Sequence, residues 1–297
     1  MIDKLEMLLA LAKEKHFGRA AVSLGITQPT LSAGIRKLEE QLGVKLVQRG
    51  SRYGGLTPEG QRALDWARRI VGDSRRLREE MRASHAGLSG HLRLAVIPTA
   101  LTWAARLTAS FAERHPNVSF TLLSRSSIEI LELLDNLDVD AGITYLDNEP
   151  LGRMTAQELY QEHYALVCPR HHPLAQRDML HWREMTGLRL CLLTPDMQNR
   201  RIINRNFMEA GVAPQVLVES NSTIALVTNV LHGPFVTILP EDIARFLAVG
   251  HDLSLVPIER SGMRPSVGLI ALHQEPRTPV LQALLKVAEG LRRPEKR

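Results

Sequence analysis

Gln28, Thr30, Ser32, Arg36 and Lys37 recur on one side of a stretch whose other side is Leu31, Ile35, Leu38 and Leu42. At 3.6 residues per turn these are two faces of one amphipathic helix. Gln and Arg can pair bidentately with adenine and guanine edges, and Ser and Thr serve either base. The polar face can therefore read DNA, or be the solvated flank of an ordinary helix. A second polar set lies further on: Thr99 and Ala100, Ser126 and Ser127 beside Arg125, Thr144, and Met197, Gln198 and Asn199. Each falls at or just past the end of an apolar run, and most open a helical pattern. Free N–H groups and hydroxyls at helix starts bind carboxylates and other small anions, although each hydroxyl taken singly is an ordinary cap.

Other chemistry finds no support. The chain has no HExxH, GxSxG, Walker or GxGxxG pattern, and no acid pair stands out. The eleven histidines show no ligand spacing, and His171 and His172 precede Pro173 in a loop. An enzyme is not expected, nor is a metal or cofactor. Cys168 and Cys191 lack a CxxC partner; they read as two reduced thiols on strands, or else as a redox-sensing pair.

The elements that position the first set are short helices. Residues 3–14 form a helix with Leu5, Leu8, Leu9 and Ala12 on one face, Asp3 as its cap and Glu6 completing a capping box. A second helix over 18–24 ends at Gly25, Ile26 plugs the corner, and Thr27 caps a third with Pro29 in its first turn. That is a helix-turn-helix, whose second helix enters the major groove. Short β-prone pieces at 44–48 and 55–57 flank a turn, the shape of a wing, with Arg49 and Arg52 placed for phosphate contact. Arg19 completes the expected DNA-contacting set. Thr57 starts a helix running to about 85, with Leu64, Ala67, Val71, Ser74, Leu77 and Met81 as a seam. At about 40 Å it is too long for its small domain to cover, so pairing with a second copy is expected.

These residues resemble the LysR-type transcriptional regulators. The match runs from Leu5 to Gly60 through FGRAAVSLGITQPTLSAGIRKLEEQLGVKLVQR and then LTPEG. The resemblance implies a dimer through the linker helix and usually a tetramer, a double-stranded operator with partial dyad symmetry, and a C-terminal co-inducer domain, with effector contacts at Thr99 and near Asn199. RNA polymerase is a further partner to expect. Ala33 and Gly34 stand where the family places larger polar side chains, Gly55 replaces a basic wing residue and Val47 a Phe. Base readout therefore leans on Gln28, Thr30, Ser32 and Arg36.

The rest of the chain alternates strands and helices. Strands over 92–97, 118–124 and 139–145 are linked by helices over 100–114 and 127–136; the pattern restarts at 163–169 and 189–194 and ends in a helix over 278–292. The expected fold is an all-α winged helix-turn-helix (1–60) with a linker helix (58–87), then a two-lobed α/β domain like the periplasmic binding proteins (91–297). Lobe I takes about 91–161 and 268–297, lobe II about 162–267. Ligands in such sheets bind beyond the carboxyl ends of the strands, here between the lobes.

Bulk properties agree. The chain has 297 residues, 44% of them hydrophobic, enough for two or three cores. Residues 1–90 hold 16 Lys and Arg against 10 Asp and Glu, and the remainder is nearly balanced, so a polyanion partner is expected for that third alone. The N-terminus lacks the features of a signal peptide, and no apolar run approaches the roughly 18 residues of a membrane span. A cytoplasmic location is expected, with no membrane partner. A ligand-responsive regulator is the leading reading; a thiol redox regulator, a solute-binding protein of the same C-terminal fold and an enzyme on this scaffold are the alternatives.

Overall fold

The computed structural model describes all residues except 49–52, 87, 148–150, 261–264, 274–276 and 292–297. It divides into two compact units, one holding Met1–Leu88 with the short segments Asp135–Asp138 and Pro276–Pro279, the other holding the rest.

The first unit is a winged helix-turn-helix with a long C-terminal helix. Helix α1 (Ile2–Glu14) buries Leu5, Leu8 and Leu11, so its stripe runs at spacings of three, and Leu9 and Ala12 only flank it. The helix begins one residue before Asp3, which therefore sits in the first turn and caps nothing; there its charge still favours the helix dipole. Helix α2 (Phe17–Ser23) is capped by His16, whose Nδ1 accepts from Gly18 and Arg19. Its Ala20 and Ala21 are buried and small enough for close helix packing. Gly25 turns the chain at φ +66°, and half-buried Ile26 packs on the core. Thr27 Oγ1 caps helix α3 (Gln28–Leu42) through the Thr30 N–H at 3.4 Å. Leu31, Ile35 and Leu38 are buried, whereas Leu42 reaches solvent.

The wing reduces to one antiparallel bridge, Val47 to Leu56. Its tip, with Arg49 and Arg52, lies outside the described residues. Glu39 builds the wing's base. Its carboxylate accepts from the Leu46 and Val47 amides at 2.9 and 3.3 Å and from Lys45 Nζ at 2.8 Å. Burial alone would raise its pKa, but these three donors hold it below its ordinary 4.5. The stabilisation this gives is present above the unfolded value and disappears as pH falls through the lower folded one. Glu39→Ala is expected to cost about 2–3 kcal/mol in urea unfolding, because two buried amides lose their acceptor, and the difference is expected to narrow in acid as the charged part of the interaction is lost. An unchanged midpoint at neutral pH would remove Glu39 from this role.

Helix α4 (Pro58–Ala86) starts where Thr57 Oγ1 accepts from the Gly60 N–H at 2.9 Å. A Cβ at Gly60 would strike the Leu46 carbonyl, so only glycine lets the helix start against the wing. Leu64, Ala67 and Val71 are buried in this unit's own core. Trp66, Ile70, Leu77 and Met81 are exposed.

The second unit is two α/β lobes. In lobe I, β1 (Gly90–Val96), β2 (Val118–Ser124) and β3 (Ala141–Tyr145) are parallel, linked by α5 (Leu101–Arg114) and α6 (Ser127–Asp135). Strands β4 (Met154–Gln161) and β10 (Ser266–Leu272) complete the sheet in the order β2-β1-β3-β10-β4, with β10 antiparallel to both neighbours. Lobe II pairs β5 (Tyr164–Pro169) antiparallel to β8 (Thr237–Pro240) and β9 (Leu253–Pro257), and β6 (Arg189–Leu193) parallel to β7 (Gln215–Ser220). Its helices are α7 (Gln198–Glu209), α8 (Thr223–His232) and α9 (Glu241–Ala248); α10 (Pro279–Leu291) closes the described chain. Strands β3, β5 and β6 are almost wholly buried, as is β1 from Leu94 to Val96, which explains their near-continuous apolar runs.

Candidate nucleic-acid interface and effector pocket

On α3 the apolar stripe is used inside the domain, and the opposite face is left to solvent. Gln28, Pro29, Thr30, Arg36 and Lys37 are exposed and Ser32 half-buried. Among the described residues, Arg36 and Lys37 form no ion pair. Thr27 is spent on the cap, and its Oγ1 also shares a hydrogen bond with Thr30 Oγ1 at 2.9 Å. Arg19 is tied back to α1, donating to the Glu14 carbonyl at 2.7 Å. Gly34 has a packing reason: a Cβ there would meet Met7 Sδ, which lies over this part of α3.

In the second unit a cavity of about 340 Å³ opens at the carboxyl ends of β1 and β2 in lobe I and of β6 and β7 in lobe II. Pro98, Ser124, Arg125, Ser126 and Glu129 form one wall; Met197 and residues 221–224 form the other. The N-termini of α6 and α8 both open on it. Ser126 caps α6 in partnership with Glu129, its N–H and Oγ donating to Oε2 at 2.8 and 2.9 Å. Ser222 caps α8. The Glu129 carboxylate already occupies the start of α6, so what the cavity offers an anion is Arg125 and the N-terminus of α8.

The remaining expected contacts fall elsewhere. Gln198 is buried with its Oε1 accepting from Arg201 Nε at 2.7 Å. Ala100 is fully buried, and Ser127 and Thr144 are buried with hydroxyls that have no partner among the described residues. Thr99 and Asn199 do come together, but around a carboxylate. Glu162 Oε2 accepts from Tyr145 OH at 2.7 Å and Tyr164 OH at 3.1 Å, and Asn199 Nδ2 donates to Tyr145 OH at 3.2 Å. Thr99 stands beside this group without closing a hydrogen bond. Burial pushes the Glu162 carboxyl up to about 7 against the tyrosine hydrogen bonds that favour its charge. An anion held at Thr99 and Asn199, where effector contacts are expected, would meet this acid. Glu162 drew no notice in the sequence because YQEHYALV reads as loop and strand; the signal was an acid set between tyrosines at a lobe junction.

Comparison with known proteins fits this architecture. Residues 2–61 match the model described as bacterial regulatory helix-turn-helix protein, lysR family, and residues 85–292 match the LysR substrate binding domain. The chain belongs to the LysR family. It is 30% identical over 240 residues to the regulator YybE of Bacillus subtilis (strain 168), covering 80% of this chain and 82% of that protein. It is 29% identical to the DNA-binding transcriptional dual regulator OxyR of Escherichia coli (strain K12), covering 98% and 94%. A full-length OxyR variant from Pseudomonas aeruginosa superposes with a TM-score of 0.73 at 23% identity, covering 99% of each chain.

As a LysR-family chain it is a DNA-binding transcriptional regulator with a substrate-binding domain. Its two cysteines lack the surroundings of a reactive thiol. Cys168 and Cys191 are fully buried, and burial pushes both thiols up to about 11. Reactive cysteines are low-pKa and accessible; these two have the opposite properties. Among the described residues no group of His, Cys, Asp or Glu could hold a metal ion, and no helix is long and apolar enough to cross a membrane.

Proposed function

We propose that this regulator binds a double-stranded operator as a dimer paired along α4, reading bases with Gln28, Thr30, Ser32 and Arg36, and that a small metabolite bound between its lobes sets its activity in the cytoplasm. The carrying observation for DNA is the exposed polar face of α3 backed by an apolar stripe buried from Leu31 to Leu38. For the effector it is the cavity between the lobes, where Arg125 and the α8 N-terminus favour an anionic group. Occupancy of that cavity favours one inter-lobe geometry, which a dimer or tetramer can pass to its DNA-binding heads.

The test is thermal-shift titration of the full-length protein with small carboxylates, followed by operator binding by anisotropy. Arg125→Ala is expected to weaken the carboxylate that binds by about tenfold, the loss of one charge-assisted contact. Operator affinity without effector is expected to stay unchanged. A carboxylate response that survives both Arg125→Ala and Ser222→Met would place the effector elsewhere.

A further inference from the structure

The Glu162 cluster does not line the cavity but adjoins its walls in sequence: Pro98 precedes Thr99, and Met197 precedes the start of α7 with Asn199. It also joins the lobes. Tyr145 ends β3 of lobe I, Glu162 follows β4, Tyr164 opens β5 of lobe II and Asn199 lies on α7.

Its hydrogen bonding is lopsided. Both tyrosine hydroxyls donate to the same oxygen, Oε2. Since Tyr145 gives its proton to Glu162, it can only accept from Asn199, which fixes the Asn199 amide with Nδ2 toward Tyr145. Glu162 Oε1 and Asn199 Oδ1 remain, each buried and without a donor in hydrogen-bond geometry among the described residues; the Thr99 hydroxyl beside them acts on Glu162 but can serve only one acceptor. All three residues are more than nine-tenths buried. Among the described residues Glu162 has no cation. The other titratable groups acting on it and its tyrosines are Tyr160, Asp242, which raises it further, and Arg106, which acts on Tyr160. Buried acceptors without donors, and a buried carboxyl without a counter-ion, are costly unless a partner arrives.

We infer that this buried cluster at the lobe junction takes the protonated amine of a small effector, donating to Glu162 Oε1 and Asn199 Oδ1, and that Glu162 selects for that amine. This rests on the interlobe reading above and narrows it. An effector that also reaches Arg125 is a zwitterion, with its anionic group at Arg125 and its ammonium on Glu162. A simple carboxylate leaves Glu162 without that partner.

Methylammonium chloride is the probe, titrated against sodium chloride of equal ionic strength with the full-length protein at about pH 8, where Glu162 is charged. Unfolding midpoints are expected to rise with methylammonium and not with sodium. Glu162→Gln keeps both tyrosine hydrogen bonds and is neutral. In the absence of amine it is expected to be more stable than wild type at pH 8, because an acid whose folded pKa is raised loses stability as pH climbs through that value. Its methylammonium response is expected to be weaker by about tenfold or more. The wild-type response is expected to fade by about pH 5.5, as Glu162 takes up its proton. No shift up to about 100 mM methylammonium, an equal shift in Glu162→Gln, or a shift independent of pH would each overturn the proposal. A carboxylate response lost in Arg125→Ala would leave the interlobe reading standing in any of those cases.

Discussion

A Leu77→Glu, Met81→Glu double variant is expected to sediment as a monomer and to lose two to four orders of magnitude, roughly, in operator affinity. On α4 the exposed apolar residues Trp66, Ile70, Leu77 and Met81 fall at spacings of four, seven and four, one stripe along the helix. Leu64, Ala67 and Val71, which also have seam spacing, are consumed by the unit's own core. The stripe left for a partner therefore differs from the one the sequence suggests, and shares with it only Leu77 and Met81. Carboxylates at both positions would be desolvated against their copies on pairing, which opposes association strongly. Both side chains are exposed in one chain, so the fold of each chain should survive. The affinity loss follows because a monomer engages one half-site, while a dimer binds the second as an effectively intramolecular event. Wild-type sedimentation by the double variant would remove α4 from the interface, and retained operator affinity by a proven monomer would remove the need for a dimer.

The difference between the two stripes shows where sequence reading stops. Periodicity places a residue on a face but does not say which neighbour covers it. The α3 stripe was legible through Leu38 because every third or fourth residue is large and apolar. Leu42 follows the same period yet is exposed, because the helix ends one residue later at Gly43 in the left-handed conformation. Strand β2 was legible to the residue, its apolar run over 118–124 being bounded by turn residues. Strand β4, MTAQELYQ, was not: half-buried and paired only with β10, it mixes polar and apolar residues without a clean alternation. Helix α9 was hidden by its eight residues, too few to set up a period. The strand-end rule led to Ser126 and Met197 on the cavity wall. It could not find Glu162, whose role arises from Tyr145 and Asn199, far away in sequence, converging on one carboxyl group.

Arg36→Ala is expected to cost about 1–3 kcal/mol of specific binding, a five- to 150-fold loss, and to relax preference at one base pair. Arg36 stands on the exposed face of α3, one residue past buried Ile35, and among the described residues no ion pair draws it back to the protein. Its guanidinium is therefore free to meet a guanine edge with two parallel donors, a geometry that lysine cannot copy. Neighbouring Lys37, also exposed, is the control. Without a planar fork it is expected to act on phosphate, so Lys37→Ala weakens all sequences alike and lowers the salt slope by about one. The two variants should thus separate in the ratio of operator to random DNA binding, measured by anisotropy over a salt series: Arg36→Ala lowers the ratio, and Lys37→Ala leaves it unchanged. Neither should shift the unfolding midpoint by more than about 0.5 kcal/mol in stability, since both side chains are solvated. An operator-to-random ratio untouched by Arg36→Ala would mean that α3 enters the groove with a different face, and that base readout falls on Gln28 and Thr30 at its N-terminal turn.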